Sequence, residues 1–390
     1  MVRSLFRKIL AYFSSEDDTD VESERAHGQY SENRQRRKFI RRNHNQRHER
    51  LFRDFFAENP VYSSNLFRRR FRMSRPLFIR ILNEVESYEP YFVQKRDNCG
   101  RLGLSSMQKI TAALRMLAYG VTGDFMDEYI RIGETTAMES LKKFTETLVN
   151  VFSSEYLRPP NANDILRLLN VAEQRGFPGM LGSIDCMHWR WKNCPTAWKA
   201  FFGMPGSHND INVLERSFVF TELAQGRAPP VNYTINGNNY TMGYYLADGI
   251  YPKWKTFVKT IPSPQGNKKK NFVKAQEAAR KDVERAFGVL QQRFAIIRGP
   301  SRMFKVKELT NIMKACVILY NMIIEDERDD SENNQVEYDQ LDDDPLEFLS
   351  NHTTDFADFI QRHHHIRDSA AHHQLQEDLI EHQWLLHSQQ

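Results

Sequence analysis

Three acidic residues stand where an enzyme that cuts phosphodiesters with bound metal would hold its carboxylates: Asp185 in GSIDCMHW, Asp248 in YYLADGIYP and Glu284 in RKDVERAFG. The runs directly before the two aspartates, Met180 to Ile184 and Tyr244 to Ala247, read as buried strands, whereas Glu284 falls on a long amphipathic helix. Two strand ends and a helix face can meet at one point. Converging carboxylate oxygens are what a hard cation such as Mg²⁺ or Mn²⁺ requires, and a pair of such ions can serve both the attacking and the leaving oxygen of a displaced phosphodiester. The 35 residues between Asp248 and Glu284 leave room for a strand end, a basic loop and a returning helix. That stretch carries Lys253, Lys255 and Lys259, then Lys268, Lys269 and Lys270, a mixture suited to a site that meets metal and polyanion together.

Other residues near these acids have plainer readings. On the Glu284 helix, Val283, Ala286, Phe287, Leu290 and Phe294 form the apolar stripe, which puts Glu284 at its edge, able to face a site. Glu277 and Asp282 read as surface acids paired with Lys281 or Arg280. Asp210, in MPGSHNDINVL, suits a helix cap as well as a metal ligand. His188 reads as a hydrogen-bonded strand histidine or as a group orienting phosphate or water, and Cys186 as a packing residue.

The elements that would position these groups follow from periodicity and punctuation. Leu77, Phe78, Ile81, Leu82 and Val85 share one helix face, as do Ile110, Leu114 and Leu117 on a helix over 105–119 that Gly120 should end. GDFMDEYIRIGETTAMESLKKF reads as a short helix, a break at Gly133 and a longer helix from Thr135 or Thr136, with Thr136 and Glu139 spaced as a capping box. Lys142 and Lys143 would lie on its exposed side, so the pair suits a DNA-reading helix-turn-helix or a plain helical bundle. A further helix precedes Gly176 and Pro178, where strands begin.

Length and composition set the frame. A chain of 390 residues with 40% apolar residues suggests two or three units and at least one proper core. The net charge of +4 is small but unevenly placed: Arg36, Arg37, Lys38, Arg41 and Arg42 crowd ahead of the first apolar helix, a run that suits DNA, a nuclear import receptor or a solvated helix end. Four cysteines without CxxC pairs argue against a disulfide scaffold or a thiolate zinc site. No apolar run is long enough to span a bilayer, so no membrane role is expected. The expected organisation is an acidic then basic tail over 1–50, a helical unit over 51–160, an α/β catalytic unit over 161–328, and an acidic linker with a C-terminal helix over 329–390. The consecutive His363, His364 and His365 do not share a helix face and read as solvated.

Taken in order, NLFRRRFRMSRPLF, LSSMQKITAALRMLAYG, GFPGMLGSIDCMHWRWKNCPTAW, GSHNDINVL, MGYYLADGIYP and ARKDVERAFGVLQQRFAI give the chain a resemblance to plant PIF/Harbinger transposases and the proteins derived from them. The resemblance implies an RNase H-like nuclease domain after an all-α N-terminal domain. It also implies a DDE site at Asp185, Asp248 and Glu284 binding Mg²⁺ or Mn²⁺, with Asp210 as a fourth acid of the pattern. Action on DNA, a nuclear setting and a separate Myb-like DNA-binding partner belong to the same implication. One departure stands out: related proteins carry a segment reading as two strands between the equivalents of CPTAW and AFFG, where this chain has only Lys199. Only 25 positions separate Asp185 from Asp210, whereas two strands with turns take roughly 12 to 17 residues beyond the first strand and its loop. Most of the strand 2–3 hairpin is therefore expected to be missing, leaving the Asp185 strand with an open edge. The consequence is either an impaired nuclease or a noncatalytic nuclear protein that binds DNA or partners.

Overall fold

Capping residues and glycines cut the N-terminal part into short helices: α1 (His44–Phe55), α2 (Ser64–Phe71), α3 (Arg75–Tyr88), α4 (Ser106–Tyr119), α5 (Gly123–Ile130) and α6 (Glu134–Tyr156). The computed structural model describes residues 40, 42–195, 231–332 and 369–388, and these divide into two units between Thr147 and Leu148. Ser74 caps α3 by accepting from the Leu77 amide, with proline in the first turn, and Ser105 with Gln108 closes a capping box on α4. Gly120 ends α4 in the left-handed conformation, as its position predicts. Beyond the expected stripe, Ala112, Ala113, Met116 and even Arg115 on α4 are buried, so this helix is the centre of the unit. Beside it, Phe67 stacks on Phe71 with centroids 4.4 Å apart and meets Phe55, Phe56 and Phe78 edge-on.

Three expectations change here. Helix α1 starts at His44, inside the stretch read as tail, because Leu51 and Phe55 bury against the aromatic cluster and so order the turns before them. Helix α6 starts at Glu134, immediately after Gly133, which places Thr136 inside the first turn; its carbonyl accepts from Tyr91 and Ser140 hydroxyls, and it is no cap. Acidic residues do not end helix α9 (Val306–Glu332) of the second unit, because Glu325 accepts from the Tyr156 hydroxyl and Glu327 pairs with Arg293.

The second unit has α7 (Ala162–Gln174), β1 (Met180–Ser183), β2 (Tyr233–Ile235), β3 (Asn238–Tyr240), β4 (Tyr244–Ala247), β5 (Phe257–Lys259), α8 (Asn267–Arg293), α9 and α10 (Ser369–Ser388). Strands β1, β4 and β5 form a parallel three-stranded sheet in that order. β2 and β3 form a separate hairpin whose turn, Asn236-Gly237, has positive φ at both residues. The sequence reading missed this hairpin, although Asn-Gly between short alternating runs is a strong signal for it. Among the described residues β1 has a strand neighbour on one side only. Further on, the chain past β1 is held at Ser301, which donates to Arg190 and accepts from Lys192. Residues 196–230, including Lys199 and Asp210, lie outside the described residues, as do Arg36, Arg37, Lys38, Arg41 and His363 to His365. Among the described residues no helix is long and apolar enough to cross a membrane.

A glycine sets the entry to β1. Gly179 has φ +80°, and a Cβ there would lie 2.3 Å from the Tyr233 ring, which is held by its hydroxyl's bond to the Met242 carbonyl. Gly179→Ala should therefore destabilise this unit by about 1–3 kcal/mol, measured by urea unfolding, through strain and overpacking together.

Helix α10 covers the outer edge of β5. His372 Nδ1–H donates to the Phe257 carbonyl at 2.7 Å and Gln376 to that of Lys259 at 2.9 Å, so carbonyls that an edge strand leaves open are satisfied by the helix. Leu375, Leu379 and Ile380 bury into the core formed with Tyr244, Leu246, Val258 and Phe272. Burial lowers the His372 pKa below its ordinary value of 6.5, outweighing the two backbone bonds, and the His373 and Lys259 charges add to the lowering. Because the unfolded state then binds the proton more readily, stability from this contact is complete above pH 6.5 and is lost as pH falls through the lowered folded value. Hydrogen-exchange protection factors in α10, corrected for the intrinsic pH dependence, should fall below pH 6.5, and His372→Gln should flatten that response.

Candidate metal and phosphate site

Register brings the two aspartates together. Ser183 pairs with Leu246 and the Ile184 amide donates to the Leu246 carbonyl at 2.8 Å, so Asp185 and Asp248 each stand two residues past a matched pair, at the C-terminal ends of adjacent parallel strands. Neighbouring strands lie roughly 4.8 Å apart. Both aspartates are half-buried, and each turns one carboxylate oxygen to the amide of the next residue, Cys186 or Gly249. β5 adds Lys259, paired in register with Ala247 beside Asp248. Burial lowers the Lys259 pKa, Lys253 adds to this, and the Asp248 carboxylate pulls the other way. Two carboxylates and a cation thus line consecutive strand ends, the edge where open α/β sheets bind ligands.

Helix α8 is anchored across this sheet. Gln276, buried in the apolar stripe between Phe272 and Ala279, donates from Nε2 to the Ala247 and Val258 carbonyls at 3.1 and 3.2 Å. The Ser183 hydroxyl donates to the Ala279 carbonyl, and Gln291 donates to Met187 Sδ. With Ala279 against Ser183 and Gln291 against Met187, the turn carrying Glu284 passes Asp185. Its side chain is nevertheless exposed, and Oε1 lies 2.7 Å from Arg280, one turn back on the same helix. The expectation that Glu284 faces inward from the edge of the stripe is corrected: Val283 and Phe287 take the inward positions.

Among the described residues no three His, Cys, Asp or Glu side chains are grouped closely enough to hold a metal ion. The oxygen donors of Asp185 and Asp248 suit a hard divalent cation, and they supply two of its carboxylate ligands. Completing it requires Glu284 to leave Arg280, or a ligand from Asp210. Arg280 is largely buried, 17% exposed, so turning Glu284 toward the strand ends leaves that guanidinium without its carboxylate.

The other singled-out residues divide between scaffold and surface. Cys186 sits 3.4 Å from the Tyr251 hydroxyl, consistent with packing. His188 is exposed and lies outside any strand; the segment around it is pinned by Trp189 and Trp191, whose indoles donate to the Gly299 and Met303 carbonyls. Asp282 pairs with Arg175 and Arg285, and Glu277 accepts from Thr260, so neither uses Lys281 or Arg280. Lys268 and Lys269 are held by Glu381 and Glu377 of α10, and Lys270 is exposed. These glutamate pairs are half-exposed, weak contacts that a phosphate can displace. Arg42 is different: it makes a two-pronged pair with Asp127, which raises its own pKa and lowers that of the aspartate. In the helical unit Lys142 is exposed and Lys143 reaches Glu89 at 3.7 Å. Gln276 and the strand-end place of Lys259 were the positioning features that sequence reasoning missed; a polar residue inside an otherwise apolar stripe was the available signal for the first.

Residues 154–200 and 196–331 match the family described as plant transposon protein, and residues 48–86 match a domain of unknown function (DUF8418). The two pieces of the first match meet at 196–200, where the shortened segment was expected. No curated protein and no solved structure matches the chain. Over residues 154–331, with both strand-end aspartates and the helix that carries Glu284, the chain matches the plant transposon protein family, consistent with derivation from a plant transposase.

Proposed function

We propose that the second unit is an RNase H-like DDE nuclease unit of the Harbinger type, acting on DNA with Mg²⁺ or Mn²⁺. The observation that carries this reading is the shared register of Asp185 and Asp248 on adjacent parallel strand ends. Asp185, Asp248 and Glu284 would hold the metal, with Asp210 as a further ligand. A divalent ion bound there supplies Lewis-acid polarisation of the phosphoryl group and a water acidified toward hydroxide. The chain's own part is to fix the carboxylates at strand ends, to hold phosphate oxygens with Lys259 and Lys253, and to extend that grip along Lys268, Lys269 and Lys270. Gln276 keeps α8 in place across those strand ends. A nuclear location and a Myb-like partner complete the reading, as the family resemblance implies.

A second reading, a noncatalytic DNA-binding or partner-binding protein, is favoured by one observation: Glu284 is engaged with Arg280 on the exposed side of α8. Supercoiled plasmid relaxation in Mg²⁺ or Mn²⁺ separates the two. Nicking that stops on chelation supports the nuclease, and nicking only after a two-strand segment is restored between Trp198 and Ala200 locates the defect in the scaffold. No nicking by either version, with DNA binding intact, favours the binder.

A further inference from the structure

The helical unit contains a cavity of about 500 Å³ that the site above does not use, walled by α1, α2, α4 and α5. Its floor holds Arg115, only 5% exposed, with its guanidinium 4.6 Å from the Phe71 ring centroid and 5.3 Å from that of Tyr129. Two of its nitrogens donate to the Tyr119 and Tyr129 hydroxyls at 3.4 and 3.3 Å, while Nε is buried and has no hydrogen-bond partner among the described residues. A buried guanidinium with an unmet donor and no carboxylate partner among those residues carries a charge that its surroundings compensate poorly. Burial works against its charge in the same sense.

The rim adds arginines and exposed aromatic rings. Arg47, Arg50 and Arg70 line it, and the Arg70 guanidinium carbon lies over the Tyr62 ring at 3.8 Å from its centroid. Of the two acids present, Asp54 and Glu128, the first already faces Arg50 at 3.7 Å. On successive turns of α5, Phe125 and Tyr129 are stacked with their planes 13° apart, yet are 48% and 39% exposed. Exposed parallel rings beside arginines form a platform for flat, electron-rich groups whose backbone is anionic.

We infer that this cavity seats an unpaired nucleotide of single-stranded DNA, its base stacked on Phe125 and Tyr129, its phosphates on Arg47, Arg50 and Arg70, and a base-edge acceptor on Arg115. Paired bases present no free face to such rings, which favours a single strand over a duplex. An acidic peptide would satisfy the arginines but leave the stacked rings without a flat partner. The volume lies within the 300–1,000 Å³ typical of small-ligand sites. The inference extends the proposed action on DNA, and its test is independent of the metal site.

Fluorescein-labelled 20-nucleotide oligo(dT) and a 20-base-pair duplex are titrated against the full chain by anisotropy. Replacing both surface rings, Phe125→Ala with Tyr129→Ala, should weaken oligo(dT) binding roughly 10- to 100-fold and leave duplex binding within about twofold, since stacking is worth about 1–3 kcal/mol per base. Arg50→Gln, exposed and outside the core, should lower the salt slope for oligo(dT) by roughly 0.7. Oligo(dT) carrying 5-iododeoxyuridine should photocrosslink to Phe125 or Tyr129, which reports the contact even if the double variant misfolds. Equal losses for strand and duplex, unchanged oligo(dT) binding, or crosslinks confined to other residues would overturn the assignment. So would a Glu-Tyr copolymer that binds the chain in a ring-dependent way while oligo(dT) does not, which would mark a protein partner instead. Absence of metal-dependent cutting by the unaltered chain, with the ring dependence of oligo(dT) binding intact, counts against the nuclease reading alone.

Discussion

Asp248→Asn should reduce Mg²⁺-dependent plasmid nicking by roughly 1,000-fold or more while leaving the fold in place. The direction follows from geometry: Asp248 ends β4 beside Asp185, and the amide keeps the size of the side chain and its bond to the Gly249 amide but removes the charge a cation needs. The size follows from the several kcal/mol of charge stabilisation a catalytic metal provides, at about 1.4 kcal/mol for each factor of ten. Folding should change little, because the carboxylate takes part in the strand end and not in the core. Lys259 bears on the same assay. Its pKa is lowered chiefly by burial, so its phosphate grip is complete well below the ordinary lysine range and is lost sooner than usual as pH rises. Lys259→Ala should weaken DNA binding more at pH 7 than near pH 10, whereas Asp248→Asn should not show that dependence.

Phe67→Ala should destabilise the helical unit by about 3–5 kcal/mol, the range for truncating a buried aromatic side chain. Phe67 is fully buried and touches Phe55, Phe56, Phe71 and Phe78, so its removal leaves a hole bounded by rings on three helices and a loop that cannot all move inward. Arg75 lies over the same ring at 5.6 Å and loses that contact as well. Phe125→Ala, exposed on α5, is the control: its cost in denaturant unfolding should stay within about 0.5 kcal/mol. Equal unfolding midpoints for Phe67→Ala and the unaltered chain would mean that this cluster is not the core of the unit.

The strands carrying Asp185 and Asp248 were legible because an apolar run of four or five residues that stops at an acid is too short for a buried helix and fits a buried strand, and their neighbourhood followed from parallel pairing. The orientation of Glu284 was not legible. Whether a residue at the edge of a helical stripe faces inward depends on which ridge the partner sheet accepts, and here Gln276, Ala279 and Val283 took that ridge. Helix ends read from caps were right where the cap residue also had a hydrogen-bonding partner three positions on, as with Ser105 and Gln108. They failed at Thr136, where Gly133 had already let the chain turn and Glu134 began the helix against its positive end. Composition misplaced the end of α9, because acids at Glu325 and Glu327 are polar yet held by Tyr156 and Arg293, contacts far away in the chain. Charge counting treated the lysines of α8 as free phosphate ligands, while α10, distant in sequence, supplies glutamates to two of them.

Binding of Mn²⁺, followed by electron paramagnetic resonance as the free ion's signal is lost, tests the metal site without requiring turnover. Saturable binding to the full chain that disappears in both Asp185→Asn and Asp248→Asn, and weakens in Glu284→Gln, is the predicted result. Binding that persists unchanged in both aspartate variants would contradict a divalent-cation site at the paired strand ends.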